Sequence, residues 1–98
     1  MPVLLKENEN TELKSSFGDG VVETLSAFAN TSGGKVYIGV DDKGKPVKGF
    51  TIGAETFQKW INEVKSKTQP GIIPDVEIVK IDRAEVGVLS VKEFPVKP

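Results

Sequence analysis

Hydrophobic and polar positions divide the first part of the chain into three predicted elements. Residues 12–17 alternate weakly between polar and apolar side chains, which is typical of a short strand. A helix follows, with Asp19 as its predicted N-cap and apolar residues at offsets of 0, 1, 4, 7 and 8 from Val21. Residues 30–34 end this helix, because Asn and Gly accept the left-handed backbone conformation. Residues 35–40 are almost continuously apolar, which predicts a central strand buried on both faces.

The rest of the chain adds a returning strand, a second helix and two further strands. Residues 46–50 follow a turn signal and are predicted to pair back as a hairpin. A helix is predicted from about Ala54 to Lys67, and strands at residues 75–82 and 86–94. The order β-α-β-β-α-β-β predicts an α+β fold in one domain covering residues 1–98. We expect a mostly antiparallel sheet of about five strands, with two helices packed on one side.

Composition excludes several kinds of site. The chain has 98 residues, with 38% hydrophobic and 28% charged, which is ordinary for a globular domain. It contains no Cys and no His, which excludes disulfides, Ser-His-Asp catalysis and ordinary zinc sites. Without an apolar run of membrane-spanning length or a secretory signal, the sequence predicts a cytoplasmic protein that does not engage a membrane.

The formal net charge of −1 conceals an uneven distribution of charge. Residues 1–42 carry a net charge of about −4, and residues 43–67 carry about +4. Lys43, Lys45 and Lys48 lie on or beside the predicted hairpin, where a basic turn can hold a phosphate backbone without reading its sequence. Lysines on a turn also occur for solubility alone, so the pattern leaves both interpretations open.

Four carboxylates form a second candidate feature. If the first and central strands are neighbours, Glu7, Glu12, Asp41 and Asp42 converge at one end of the sheet. Like charges gathered there need a lysine, a proton or a divalent cation to offset their repulsion. Mg²⁺ or Mn²⁺ takes oxygen ligands and would suit phosphodiester chemistry. The alternative is that the two aspartates are turn residues and that Glu12 pairs with a lysine.

Two aromatic residues also allow a choice between core and site. Trp60 continues the apolar stripe of the second helix and is assigned to the core. Tyr37 lies in the middle of the central strand and is either buried or a stacking platform, and the apolar surroundings in the sequence favour burial.

Three blocks of sequence carry a resemblance to a known family. Residues 7–16 contain a Glu, four further residues and then Glu-Leu-Lys-Ser, residues 25–34 contain Ala-Phe-Ala-Asn-Thr-Ser-Gly-Gly, and residues 36–49 contain Ile-Gly-Val-Asp-Asp-Lys-Gly with a later Gly. Together, and with the spacing between them, these blocks resemble the Schlafen AlbA-like domain family over about residues 7–50. The resemblance implies an α+β fold and a nucleic-acid-linked role, since the microbial domain commonly begins larger proteins described as transcriptional regulators.

The resemblance also implies a set of site residues. In vertebrate Schlafen proteins, three acidic residues of this domain form a metal-dependent ribonuclease site that acts on structured RNA such as tRNA. By resemblance, the candidate catalytic and metal-binding residues here are Glu7, Glu12 and Asp42, with Asp41 as the fallback and Mg or Mn as the metal. Lys14 would be a phosphate-facing cation.

Three functional hypotheses follow from these observations. The first is a nucleic-acid-binding domain of a transcriptional-regulator type. In it, the phosphate groups of DNA or RNA are contacted by the second helix and by Lys14, Lys43, Lys45 and Lys48. The second is an Mg²⁺- or Mn²⁺-dependent endoribonuclease. The third is a dimerisation or protein-interaction module, in which the Asn and Gly residues of the blocks serve backbone geometry alone. The microbial domain usually continues past the point where this chain ends, so we expect a C-terminally truncated domain with a sheet edge open to self-association.

Overall fold

The structure of the protein is a computed structural model that describes residues 8–48, 52–68, 71–81 and 83–93. The named elements of this part of the chain are four strands and two helices. They are β1 (Thr11–Lys14), α1 (Asp19–Ala29), β2 (Gly34–Ile38), α2 (Ala54–Lys67), β3 (Asp75–Ile81) and β4 (Ala84–Val91). The predicted α+β class and the predicted bounds of the second helix are confirmed.

The sheet is mixed, with the strand order β1-β2-β4-β3. β1 and β2 run parallel, with Glu12 opposite Val36, and α1 provides the crossover between them. β4 pairs antiparallel with both β2 and β3, and therefore lies in the centre of the sheet. The prediction of a mostly antiparallel sheet was thus wrong for the first pair of strands. Self-association through an edge of this sheet stays a prediction.

The number of strands differs from the prediction mainly because the predicted returning strand at residues 46–50 does not form a named strand. Val40 and Pro46 form one isolated antiparallel bridge, and the N–H of Val47 donates to the carbonyl of Gly39 at 2.7 Å. Gly49 and Phe50 lie outside the described residues. Proline has no N–H to donate to a ladder, so pairing at Pro46 does not extend into a strand. The described residues therefore form a four-stranded sheet where about five strands were predicted.

Both helices pack on the same face of the sheet, as predicted. Val36 and Ile38 of β2 and Leu89 of β4 lie in one cluster with the buried residues of α1 and with Trp60 and Val64 of α2. Trp60 is in the core, as its place in the helical stripe predicted, and its ring stacks on Phe17 with centroids 5.4 Å apart. A β-carbon at Gly87 would lie 2.7 Å from the Trp60 ring, so α2 can approach β4 only over a glycine.

The opposite face of the sheet carries a smaller apolar cluster. Leu13, Val40 and Val86 are its buried members, and Tyr37 packs against them while remaining half-buried. Successive residues of a strand point to opposite faces, so Tyr37 lies on this side while its neighbours Val36 and Ile38 face the helices. Tyr37 is therefore less buried than the sequence pattern predicted.

The start of α1 also differs from the prediction. Gly18 is the N-cap, in extended conformation and without a side-chain cap, and Asp19 is the first helical residue. The Asp19 carboxylate instead accepts a hydrogen bond from Nζ of Lys67 at 2.8 Å. This hydrogen bond, together with the attraction of the opposite charges, lowers the pKa of Asp19 and raises the pKa of Lys67. Asp19 thus joins the start of α1 to the end of α2.

Candidate nucleic-acid interface

Residues 41–48, which we call the lysine turn, follow β2 and carry three of the predicted phosphate contacts. The N–H of Asp41 donates to the carbonyl of Lys45 at 2.8 Å, and the N–H of Gly44 donates to the carbonyl of Asp41 at 3.0 Å. Gly44 has a φ of 83°, in the left-handed region that a glycine adopts without steric cost. The backbone of the turn is therefore closed by its own hydrogen bonds.

The side chain of Asp41 reinforces this closure. Its Oδ1 accepts the N–H of Lys43 at 2.9 Å and the N–H of Lys45 at 3.0 Å. The hydrogen bond from the backbone of Lys45 is the main reason that the pKa of Asp41 is lowered. The interpretation of Asp41 as a turn residue is thus confirmed.

The three lysine side chains of the turn point into solvent. Lys43, Lys45 and Lys48 are all exposed. Among the described residues, ion pairs within 4.0 Å involve the ammonium groups of Lys14 and Lys67 and none of these three. The backbone of the lysine turn is thus fixed, while its ammonium groups form no ion pair within 4.0 Å in the described part of the chain, and those of Lys43 and Lys45 attract Asp41 only at longer range.

Lys14 lies next to the start of the lysine turn. Its carbonyl accepts the N–H groups of Gly39 and Val40 at 2.8 and 3.1 Å. Its Nζ lies 4.0 Å from Oε1 of Glu12, and a β-carbon added to Gly20 in the first turn of α1 would be 3.4 Å from the same nitrogen. The carboxyl ends of two parallel strands and the N-terminus of the helix between them therefore meet at Lys14, the usual location of ligand sites in such units.

The predicted acidic site is only partly covered by the structure. Glu7 lies outside the described residues. Glu12 is close to Lys14, which fits the alternative that it pairs with a lysine, and Asp42 is exposed in the lysine turn. In the ranges that the structure describes, no three acidic side chains are close enough together to hold a metal ion. The Glu7, Glu12 and Asp42 site stays a prediction.

Residues 30–34, which we call the glycine turn, lie at the other end of β2. Gly33 has a φ of 81°, and its N–H donates to the carbonyl of Phe28 at 2.7 Å. A β-carbon at Gly34 would lie 2.6 Å from the Phe28 ring and 2.8 Å from the carbonyl of Asn10. Packing and backbone conformation therefore account for both glycines of the second sequence block.

Sequence reasoning did not identify Asn10, which ties the glycine turn to β1. Its side-chain nitrogen donates to Oγ of Ser32 at 2.9 Å and to the carbonyl of Gly33 at 3.0 Å. The only signal in the sequence was its place within the first block, because an Asn before a strand is otherwise typical of any turn.

Comparison with known protein families identifies the family of the chain. A family model described as "Schlafen, AlbA_2" matches residues 7–98, almost the whole chain. The chain belongs to this family. The resemblance that rested on residues 7–50 is confirmed, and the match extends over the second helix and the last two strands. Membership indicates a nucleic-acid-related domain.

A solved structure shows the same fold. The DIP2311 protein from Corynebacterium diphtheriae aligns with a TM-score of 0.69 over 89% of this chain, at 18% sequence identity. At that identity the likeness concerns the fold alone. The chain spans only 18% of the length of that protein. A comparison with curated proteins finds no match. Neither helix of the described residues is long and apolar enough to cross a membrane.

Proposed function

We propose that this domain binds nucleic acid through the phosphate backbone, with Lys43, Lys45 and Lys48 as the main contacts. The observation that carries the proposal is the contrast within the lysine turn: the Asp41 carboxylate holds its backbone, while its three lysine side chains are exposed and form no ion pair within 4.0 Å among the described residues. Family membership supports the same class of ligand.

The chemistry of lysine suits contact with phosphate rather than recognition of bases. An ammonium group is a compact point charge on a flexible stem, so it attracts phosphate without demanding one geometry. Because Asp41 already holds the turn, binding does not have to order its backbone, which lowers the entropic cost of association. The resulting affinity should depend little on base sequence and strongly on salt.

Flanking contacts extend the proposed interface. Lys14 lies beside the start of the lysine turn, at the N-terminus of α1. On α2, Lys59 and Lys65 are exposed, whereas Lys67 is already paired with Asp19 and Glu63. We therefore assign the contribution of the second helix to Lys59 and Lys65.

Charge reversal in the lysine turn tests the proposal. Fluorescence anisotropy with labelled duplex DNA and structured RNA should show that the triple variant Lys43→Glu, Lys45→Glu and Lys48→Glu loses binding. The matched control reverses three exposed cations elsewhere, Lys80, Arg83 and Lys92, and changes the net charge equally. The control should retain most of its affinity. Unchanged affinity of the first variant, or equal losses in both, would refute a specific role for the lysine turn.

A metal-dependent endoribonuclease is the second candidate function. The engagement of Asp41 in the turn favours Asp42 as the aspartate of the predicted acidic set, because Asp41 Oδ1 already accepts two backbone hydrogen bonds. Bound Mg²⁺ or Mn²⁺ would offset carboxylate repulsion and lower the pKa of attacking water. Glu7, Glu12 and Asp42 would hold the metal, and Lys14 would orient a phosphate near Glu12.

Incubation with tRNA tests the nuclease proposal. Cleavage should require Mn²⁺, stop with a chelator, and fall with Glu12→Ala but not with the exposed helix variant Glu23→Ala. Cleavage that persists in Glu12→Ala would remove the acidic set from the mechanism.

A further inference from the structure

The sheet face opposite the helices places a cation beside an aromatic ring on β2. Lys35 and Tyr37 are two residues apart in the same strand, so both side chains lie on this face. Lys35 is exposed, and Tyr37 is half-buried against the cluster of Leu13, Val40 and Val86. The tyrosine ring is thus supported from one side while part of it still reaches solvent.

Tyr37 and Lys35 border a shallow depression of about 480 Å³, whose rim also includes Asn10, Thr11 and Ser32. The hydrogen bonds from Asn10 to Ser32 and to the carbonyl of Gly33 hold this rim in place. The Ser32 hydroxyl accepts one of these bonds and donates to no partner among the described residues, so its hydrogen can reach a ligand oxygen. The depression therefore combines a flat apolar surface, a cation and a hydroxyl donor.

Charge on the same face restricts where an anionic ligand can lie. Tyr37 pairs with Val88, and Val88 pairs with Glu77 of β3, so Glu77 shares the face with Tyr37. Lys35 connects in the same way through Ser90 to Asp75. These acids lie two strand spacings away, roughly 10 Å from β2. Their repulsion, which salt weakens over this distance, makes the β1–β2 half of the face, where Lys35 is, the more favourable position for a phosphate.

We propose that Tyr37 and Lys35 form a binding site for an unpaired nucleotide of single-stranded nucleic acid. The base stacks on the Tyr37 ring, and Lys35 and the Ser32 hydroxyl contact the neighbouring phosphate. The proposal deepens the nucleic-acid-binding function above and rests on it. Bases of a duplex are stacked on one another and cannot reach a ring on a sheet, so this site distinguishes unpaired from paired strands.

The new site lies apart from the lysine turn. Lys35 is near the start of β2, and Asp41 follows its end six residues later, roughly 20 Å away along an extended chain. The lysine turn holds any phosphate backbone, whereas Tyr37 acts only on a strand with exposed bases. Variants of the two regions should therefore change duplex and single-strand binding differently.

The single tyrosine makes the site directly observable. Protein labelled with 3-fluorotyrosine gives one ¹⁹F resonance, which should shift on addition of a 5′-phosphorylated tetrathymidylate. By anisotropy, Tyr37→Leu should weaken binding of a longer oligothymidylate about tenfold, the effect expected for one stacked base. Tyr37→Phe should keep most of that affinity, because it keeps the ring. Duplex affinity should be the same in all three proteins.

Charge variants separate a phosphate contact from general electrostatics. Lys35→Gln should lower single-strand affinity and reduce the magnitude of its salt slope by about 0.7, whereas Lys80→Gln on β3 should change neither. A Tyr37→Leu variant that binds single strands normally, or that loses single-strand and duplex binding equally, would overturn the proposal.

Two further outcomes distinguish the Tyr37 site from the proposed lysine-turn interface and from a contact between two copies of the chain. If charge reversal in the lysine turn leaves binding intact while Tyr37→Leu weakens single-strand binding, the lysine-turn function fails and the Tyr37 site stands. If the ¹⁹F resonance moves with protein concentration and not with the oligonucleotide, the face belongs to a second copy of the chain and the Tyr37 site fails.

Discussion

The two turns at the ends of β2 differ in what their side chains bond to. At the glycine turn, the side-chain nitrogen of Asn10 donates to Ser32 and Gly33. The N–H of Gly33 donates to the carbonyl of Phe28, and the Phe28 ring packs directly over Gly34. In the lysine turn, the internal bonds among the described residues are made by the backbone and by Asp41, and the lysine side chains are exposed. Both segments belong to the blocks that mark the family, yet the glycine turn offers a ligand the Ser32 hydroxyl, whereas the lysine turn offers three exposed ammonium groups.

This difference shows that each residue of a family motif must be examined separately before the motif is assigned a function. The glycines of the second block follow from the close approach of α1 to β2, so they need no ligand to explain them. The side chains of the lysines in the third block form no hydrogen bond and no ion pair within 4.0 Å among the described residues, so their part in the fold is limited to the backbone. We therefore expect changes in the glycine turn to affect the free energy of unfolding, and changes in the lysine turn to affect binding.

The largest effect on stability should come from Gly34→Ala. Its new β-carbon would clash with the Phe28 ring and with the Asn10 carbonyl, so the free energy of unfolding should fall by about 2 to 3 kcal/mol. Urea denaturation measures this loss. Gly20→Ala is the matched control, because the nearest atom there is the end of the flexible Lys14 side chain, and alanine should stabilise α1 by up to about 1 kcal/mol. Equal stability of the two variants would contradict the packing argument.

A smaller effect is expected from acidification of the lysine turn. The pKa of Asp41 is lowered, so its contribution to turn stability is complete above the usual carboxyl value of about 3.9 and is lost as the pH falls through the lowered pKa. The amide resonances of Lys43 and Lys45 should titrate together with a midpoint below that value. Asp41→Asn should abolish this titration. A midpoint at or above the usual value would show that the carboxylate does not hold the turn.

The smallest effect on stability should come from neutralising the lysine turn. The triple variant Lys43→Gln, Lys45→Gln and Lys48→Gln should unfold within about 0.5 kcal/mol of the original chain, because the side chains are exposed and unpaired among the described residues. For duplex binding, the slope of the logarithm of the binding constant against the logarithm of the salt concentration should nevertheless decrease in magnitude by about 3. A large loss of stability with an unchanged salt slope would make the lysine turn structural and erase the contrast with the glycine turn.

Local patterns predicted the helices and the class of the fold well. The apolar stripe ending in Trp60 and Val64, followed by a Pro and a Gly, was enough to predict Ala54–Lys67, because periodicity and breakers are properties of the sequence itself. Side-chain alternation within a strand does not give its direction. Residues 11–14 run parallel to β2 because α1 crosses the sheet between them, and the predicted β-α-β order contained that signal.

The candidate site was predicted less completely, because its contacts depend on positions that residues take only in the folded chain. The role of Asp41 depends on the position of backbone N–H groups two and four residues later, which only the folded turn provides. Asp19 was predicted as an N-cap from the sequence, but its carboxylate accepts a hydrogen bond from a lysine 48 positions later. The accessibility of Tyr37 depends on the sheet face opposite the helices, which an apolar strand sequence does not distinguish from a fully covered one.

The strand order has a consequence for synthesis of the chain on the ribosome. The two interior strands of the sheet are β2 and β4, and β4, which follows the other named strands in sequence, joins β2 on one side to β3 on the other. Until residues 84–91 have emerged from the exit tunnel, β2 and β3 have no common neighbour, and Leu89 cannot reach the helices. Helix α1 can pack on Val36 and Ile38 of β2 before then, but the part of the core that Leu89 forms with the helices closes only when β4 is inserted.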